Sequence, residues 1–274
     1  KMINFLIKEI LKKNHKLRDK YKDQECYILG NGASIKNYNL NLLKDKNVII
    51  CNWMSLHKDI INLKNIIAYI ECTPFWFFPY FRHPYTKKLR PSFHKKLFLE
   101  NYSKLNCPLF PSVSNFFFLN KSTTFFLHDF GNKDLNFKNF DICNKFSLLG
   151  GASYTMLAIA KYMGFKKINL IGLDYWMTEP IIGHFYEKTI TKNEKNINSI
   201  KDTKHNNDRL FLNQVTSEID TLMICPNGFK SELVKSVNYS DFFQTKEEKN
   251  ENNEIVSFKN LEALSKCGWQ YDLF

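Results

Sequence analysis

Arginine is nearly missing from this sequence of 274 residues: only Arg18, Arg82, Arg90 and Arg209 stand among its 39 basic residues. Nucleic-acid readers depend on arginine for bidentate contacts to bases and phosphates. The formal charge of +12 therefore argues less for nucleic acid than for an acidic ligand or an anionic surface. C-x-x-C pairs are missing too. Seven scattered cysteines, an odd number, argue against a disulfide framework or a zinc site and for a reducing compartment. No apolar run approaches the roughly 20 residues of a membrane span. The first 24 residues are interrupted by Lys8, Glu9, Lys12 and Lys13, unlike a signal peptide, so the expected location is the cytoplasm. No D-x-D, G-x-G-x-x-G or Walker pattern occurs. Signatures for carboxylate-held metal, for a dinucleotide and for ATP are thus all lacking.

What is present is a globular composition, 44% apolar and 15% aromatic, ample for a buried core. Residues 2–22 predict a basic amphipathic helix, with Ile3, Leu6, Ile7, Ile10 and Leu11 on one side. Residues 1–22 set eight basic residues against Glu9 and Asp19. Two readings stand: packing on the domain or a second subunit, as in a homo-oligomer, or an interfacial anchor on anionic lipid such as the inner membrane surface. Strands are predicted at Cys26–Leu29, Val48–Cys51 and Ile66–Ile70, β-branched-rich runs without polar alternation, as in parallel strands covered on both faces. A helix over Tyr154–Met163 ends at Gly164 and feeds a strand over Lys167–Ile171. Further on, residues 206–220 predict a helix, Thr221–Cys225 a strand, Lys246–Glu254 a solvated loop, and Leu261–Lys266 a closing helix. The expected fold class is α/β, a Rossmann-like, mostly parallel sheet flanked by helices. It divides into an N-terminal helix (1–23), a central α/β domain (24–245) with a polar lid insert near 177–205, and a C-terminal loop and helix (246–274).

The most informative pattern is strand–GNGAS–helix at 26–34. Its glycine pair lets backbone approach a ligand closely, and a following helix N-terminus would meet a phosphate. Asn52, Thr73, Gly172 and Asp174 lie at further strand ends, and Gly150–Ser153 opens another helix. In open α/β sheets these positions gather outside the carboxyl ends of the strands, where ligands bind. Asn31 and Asn52 donate and accept together, which suits a base, ribose or sugar hydroxyl. Leaving-group charge falls to hydroxyls, amides or cations, with Tyr175, Tyr186, Lys188 and His205 as candidates. His184 and His205 flank the polar insert, where a histidine can take a proton from an acceptor hydroxyl.

YILGNGAS, IICNW, GGASYTMLAIAKYMGFKKINLIGLDYW, HFYE, ICPNG and VNYSDFF resemble, in this order, a group of bacterial surface-polysaccharide proteins labelled pterin-pyrophosphokinase-like or Maf-like. The same framework is similar to the bacterial lipooligosaccharide sialyltransferases of glycosyltransferase family 42, whose GNGPS loop, CN pair and CPN turn surround a CMP-sugar. The resemblance covers about residues 24–243 and is strongest at 26–34 and 148–176. It implies a GT-A-like variant of the fold and metal-independent, inverting transfer of a nonulosonic acid from a CMP-sugar to a glycan or lipid-linked glycan, with no cofactor. Carried over, Gly30, Asn31, Gly32 and Ser34 would bind donor phosphate and ribose, and Asn52 the sugar or nucleotide. Ser153 would meet cytosine or ribose, and Asp174 and Tyr175 would lie beside the nucleotide. The chain departs from the sialyltransferases at Thr73-Pro74, in place of an asparagine segment, and at Gly151-Ala152-Ser153, in place of T-S-G; both touch donor contacts. The general base is His184 by the H-F motif, with His205 the alternative by its spacing from the aspartate strand. A Mg²⁺-dependent pyrophosphokinase-like transferase and a non-catalytic module for acidic glycans or anionic membranes are the competing readings.

Overall fold

The computed structural model describes residues 2–71, 90–119, 121–128, 140–144, 151–188, 209–268 and 271–274. Short apolar-rich segments of four to six residues become the strands β1 (Glu25–Leu29), β2 (Val48–Cys51), β3 (Ile66–Glu71), β5 (Lys167–Ile171) and β6 (Asp220–Cys225). Three-residue edges complete the sheet as β4 (Leu109–Pro111) and β7 (Ser236–Asn238). The order is β4-β3-β2-β1-β5-β6-β7, and every neighbouring pair is parallel. The helices are α1 (Met2–Leu11), α2 (Pro91–Tyr102), α3 (Phe116–Leu119), α4 (Ala152–Tyr162), α5 (209–218), α6 (Tyr239–Phe243), α7 (Asn252–Ile255) and α8 (Phe258–Ser265).

Alternation along the strands divides the interior in two. Cys26, Ile28, Ile49, Ala68 and Ile168 pack with α4 on one face. Tyr27, Leu29, Ile50, Tyr69 and Ile171 form the other core with Leu97 and Phe98 of α2 and Leu261 and Leu264 of α8. Burying one such isoleucine or leucine is worth about 1.5–3 kcal/mol. The sheet is thus covered on both faces, as its unalternated composition predicts.

Several expectations need correction. The N-terminal helix stops at Leu11 and continues as a 3₁₀ helix over Lys12–Leu17. Asn14 is fully buried and donates to the carbonyls of Phe126 and Ile142, both at 2.8 Å, which ties the segment to the domain. Ile3, Phe5 and Leu6 of α1 remain exposed. Among the described residues, no helix is long and apolar enough to cross a membrane. The segment after GNGAS is a five-residue 3₁₀ helix, Ala33–Asn37, too short for the macrodipole argument. Part of the expected 246–254 loop is α7, whose Asn252 is buried. Residues 189–208, most of the predicted lid, lie outside the described residues.

Candidate functional site

Strand order reverses direction between β1 and β5, which is the topological switch point where an open α/β sheet leaves a crevice. Two glycine turns cross there. The Gly30 amide donates to the Ile171 carbonyl (2.8 Å) and the Gly32 amide to that of Gly172 (2.9 Å). A Cβ on Gly30 would stand 2.3 Å from the Gly172 oxygen, and Gly172 itself holds φ +69°. Only glycine fits such a crossing. The crevice is a cavity of about 260 Å³. Gly30, Asn31, Gly32, Asn52, Ser153, Asp174, Tyr175 and His184 all line it, so most of the sequence-predicted residues converge.

Each element brings its group for a local reason. Asn52 follows β2 with φ +44°, a left-handed turn that asparagine tolerates, and its carbonyl accepts from the Tyr69 hydroxyl at 2.5 Å. Gly151 caps α4 at φ +117°, a conformation open essentially to glycine, and brings the α4 N-terminus to the cavity through Ala152 and Ser153. This 11-residue helix, rather than the segment after GNGAS, offers free N–H groups and a partial positive charge. The Oδ1 atom of Asn31 is buried without a partner among the described residues, an acceptor placed to meet a donor group of a ligand.

Asp174 is 1% exposed and accepts from the Ser34 amide (2.8 Å) and hydroxyl (2.5 Å). A Cβ on Gly32 would lie 2.4 Å from its carboxyl carbon. Burial pushes the Asp174 pKa up to about 6, against the pull of the Ser34 bonds and the His184 charge. Because the folded value lies above the ordinary one, folding favours the protonated carboxyl. That contribution is complete below about pH 4 and lost as pH rises through about 6, so the buried carboxylate costs on the order of 3 kcal/mol at neutral pH. A penalised charge in a cleft is a mark of a functional group.

His184 enters on a one-residue antiparallel bridge to Gly32. Its Nδ1 lies 2.8 Å from Glu187 Oε2, which also accepts from the His184 amide at 2.7 Å. Burial raises the Glu187 pKa, but the His184 ring and amide outweigh it and hold the carboxyl below its usual range. A carboxylate on Nδ1 fixes the imidazole and leaves Nε2 for substrate, as in acid–base dyads. Cys51 also lines the cavity, but burial, followed by the Glu71 charge, pushes its thiol up to about 12, which removes it as a nucleophile at neutral pH.

Two expected site residues stand behind the wall instead. Ser34 is fully buried, its hydroxyl spent on Asp174. Tyr186 is 1% exposed and stacks under the His184 ring at 4.9 Å, so it supports the histidine and does not meet substrate. Thr73 and His205 lie outside the described residues. Glu187, not foreseen, was signalled only by its i+3 spacing from His184. Among the described residues, no lysine or arginine lines the cavity, and no group of three His, Cys, Asp or Glu side chains converges as a metal site.

No family model matches this chain, and no curated protein does. Among solved structures, it is similar to the sialyltransferase CstII from Campylobacter jejuni in complex with cytidine-5'-monophosphate, at 20% identity over 90% of this chain and 99% of that one, with a TM-score of 0.48. It is likewise similar to the monofunctional α-2,3-sialyltransferase Cst-I from Campylobacter jejuni, at 21% identity over 89% of this chain and 94% of that one, with a TM-score of 0.43.

Proposed function

We propose that this chain is a glycosyltransferase that moves a nonulosonic acid from a CMP-sugar to a hydroxyl of a surface glycan, with inversion and without metal. The observation that carries the reading is the His184–Glu187 pair bridged to the glycine turn at Gly32: a proton acceptor in the cleft that the α4 N-terminus also lines. The motif resemblance over residues 24–243 supplies the donor class. In the reaction, the acceptor oxygen bonds to the anomeric carbon as the bond from that carbon to the CMP phosphate oxygen breaks. His184 Nε2 takes the acceptor proton, and CMP leaves with the bonding pair. The Tyr175 hydroxyl and the N–H groups of the α4 end stabilise the phosphate charge, while Asn31 and Asn52 hold sugar or base. Its acceptor is membrane-borne in this reading, and the exposed Ile3, Phe5 and Leu6, beside lysines, dock α1 on anionic lipid.

One assay tests both parts. A panel of CMP-activated sugars, screened for CMP release with a surface-glycan acceptor in EDTA, should give turnover with at least one nonulosonate. No release from any donor, or release only after Mg²⁺ is restored, rejects the metal-independent reading. With the acceptor on anionic vesicles, serine at positions 3, 5 and 6 should slow release, yet leave it unchanged with soluble acceptor; equal rates in both would remove the membrane contact.

A further inference from the structure

The loop that carries His184 is held mainly from a distant stretch of chain. The Lys188 amide donates to the Asp272 carbonyl (2.5 Å), and the Asp272 amide to Glu187 Oε1 (3.4 Å). Buried Asn252 ties the two segments, its Nδ2 donating to the carbonyls of Tyr186 and Leu273, both at 3.0 Å. Tyr271 sets its ring edge-on to His184 at 5.6 Å and to Tyr186 at 5.0 Å. Burial pushes the pKa of its hydroxyl up to about 12. From the other side, buried Lys36 donates its Nζ to the Glu187 carbonyl at 2.5 Å.

The geometry points to Tyr271–Leu273 as a strap that positions the general base. Tyr271 closes an aromatic stack of Tyr271, Tyr186 and His184, and Asp272 fixes the backbone on which Glu187 orients Nδ1. Neither residue lines the cleft; both act through His184 and are positioning residues. The His184 ring can meet the Gly32 turn in one orientation because two of its sides are occupied, by Tyr186 and by Tyr271. Off-axis orientations that break the Nδ1–Glu187 bond are thereby excluded, and a base held in one orientation transfers a proton far better than a mobile one. The inference rests on His184 being the base of the proposed transfer, so its test includes a readout independent of turnover.

Tyr271→Ala, Tyr271→Leu and Tyr271→Phe are compared in the full chain. Imidazole ¹⁵N NMR, with His184→Gln to identify the His184 signals, should show them shifted and broadened in the alanine and leucine variants and near wild type in the phenylalanine one. Where turnover is measurable, kcat should fall about 10–100-fold for alanine with donor KM within about threefold, and phenylalanine should restore most of it. Unchanged His184 signals in the leucine variant overturn the strap, whatever the activity. Shifted signals in an otherwise folded chain that transfers no sugar keep the strap and reject the transferase reading instead. If alanine prevents folding, the leucine variant, close in apolar bulk, carries the comparison.

Discussion

His184→Ala is expected to lower turnover about 10²–10⁴-fold while CMP affinity stays within a few-fold of wild type. The split follows from where the ring sits. In the proposed transfer the nucleotide contacts fall to the glycine turn, Asn31 and the α4 N-terminus, none of which His184 supports except through its bridge to Gly32, a backbone contact that alanine retains. What is lost is Nε2, the group left free when Glu187 takes Nδ1. The measurement is steady-state CMP release beside a direct CMP titration. Normal turnover in His184→Ala, with a dead His205→Ala, would move the base to His205.

Gly30→Ala should be the most damaging single methyl in the site. Its Cβ would stand 2.3 Å from the Gly172 oxygen and 2.5 Å from a Leu173 methyl. The first neighbour is backbone on the adjacent strand end, so relief requires β1 and β5 to part. Overpacking of a rigid core costs about 1–3 kcal/mol and at times more, and a chain of this size loses about 2–4 °C of midpoint per kcal/mol. The variant should melt several degrees lower and bind CMP poorly, because the parted turn is the floor of the cleft. Gly151→Ala is the control: among the described residues nothing lies within 4 Å of its Cβ, and its penalty comes from φ +117°. A Gly30→Ala protein as stable as wild type would contradict the crossing.

The sequence carried the central sheet well. Cys26–Leu29, Val48–Cys51 and Ile66–Ile70 read as strands because four or five consecutive buried apolar residues leave little else to form, and Lys167–Ile171 because a short β-branched-rich run follows a helix and its glycine cap. β4 and β7 escaped because three residues hold no period, and their pairing is decided by β3 and β6. The run 2–22 reads as one helix by its apolar spacing, yet buried Asn14 finds two carbonyls more than a hundred residues away and bends the chain. The same divide runs through the site. Asn31, Asn52, Asp174 and His184 were legible because each follows a strand or turn with a local signature. Ser34 was misassigned because its partner, Asp174, is 140 residues distant. The clasp of Tyr271 on His184 has no local trace at all. Long-range polar pairing, rather than periodicity, is what the sequence concealed.

In the proposed transfer the β1–β5 crevice is a CMP site beside a proton acceptor. Calorimetric titration of the full chain with CMP, against ATP with Mg²⁺ and against a polyanion, tests it most directly. Saturable one-to-one binding of CMP in EDTA, with ATP much weaker, is the result the account predicts. Tight Mg²⁺-dependent binding of ATP with no affinity for CMP would contradict it and favour the pyrophosphokinase-like reading, and binding of the polyanion alone would contradict it in favour of a non-catalytic module.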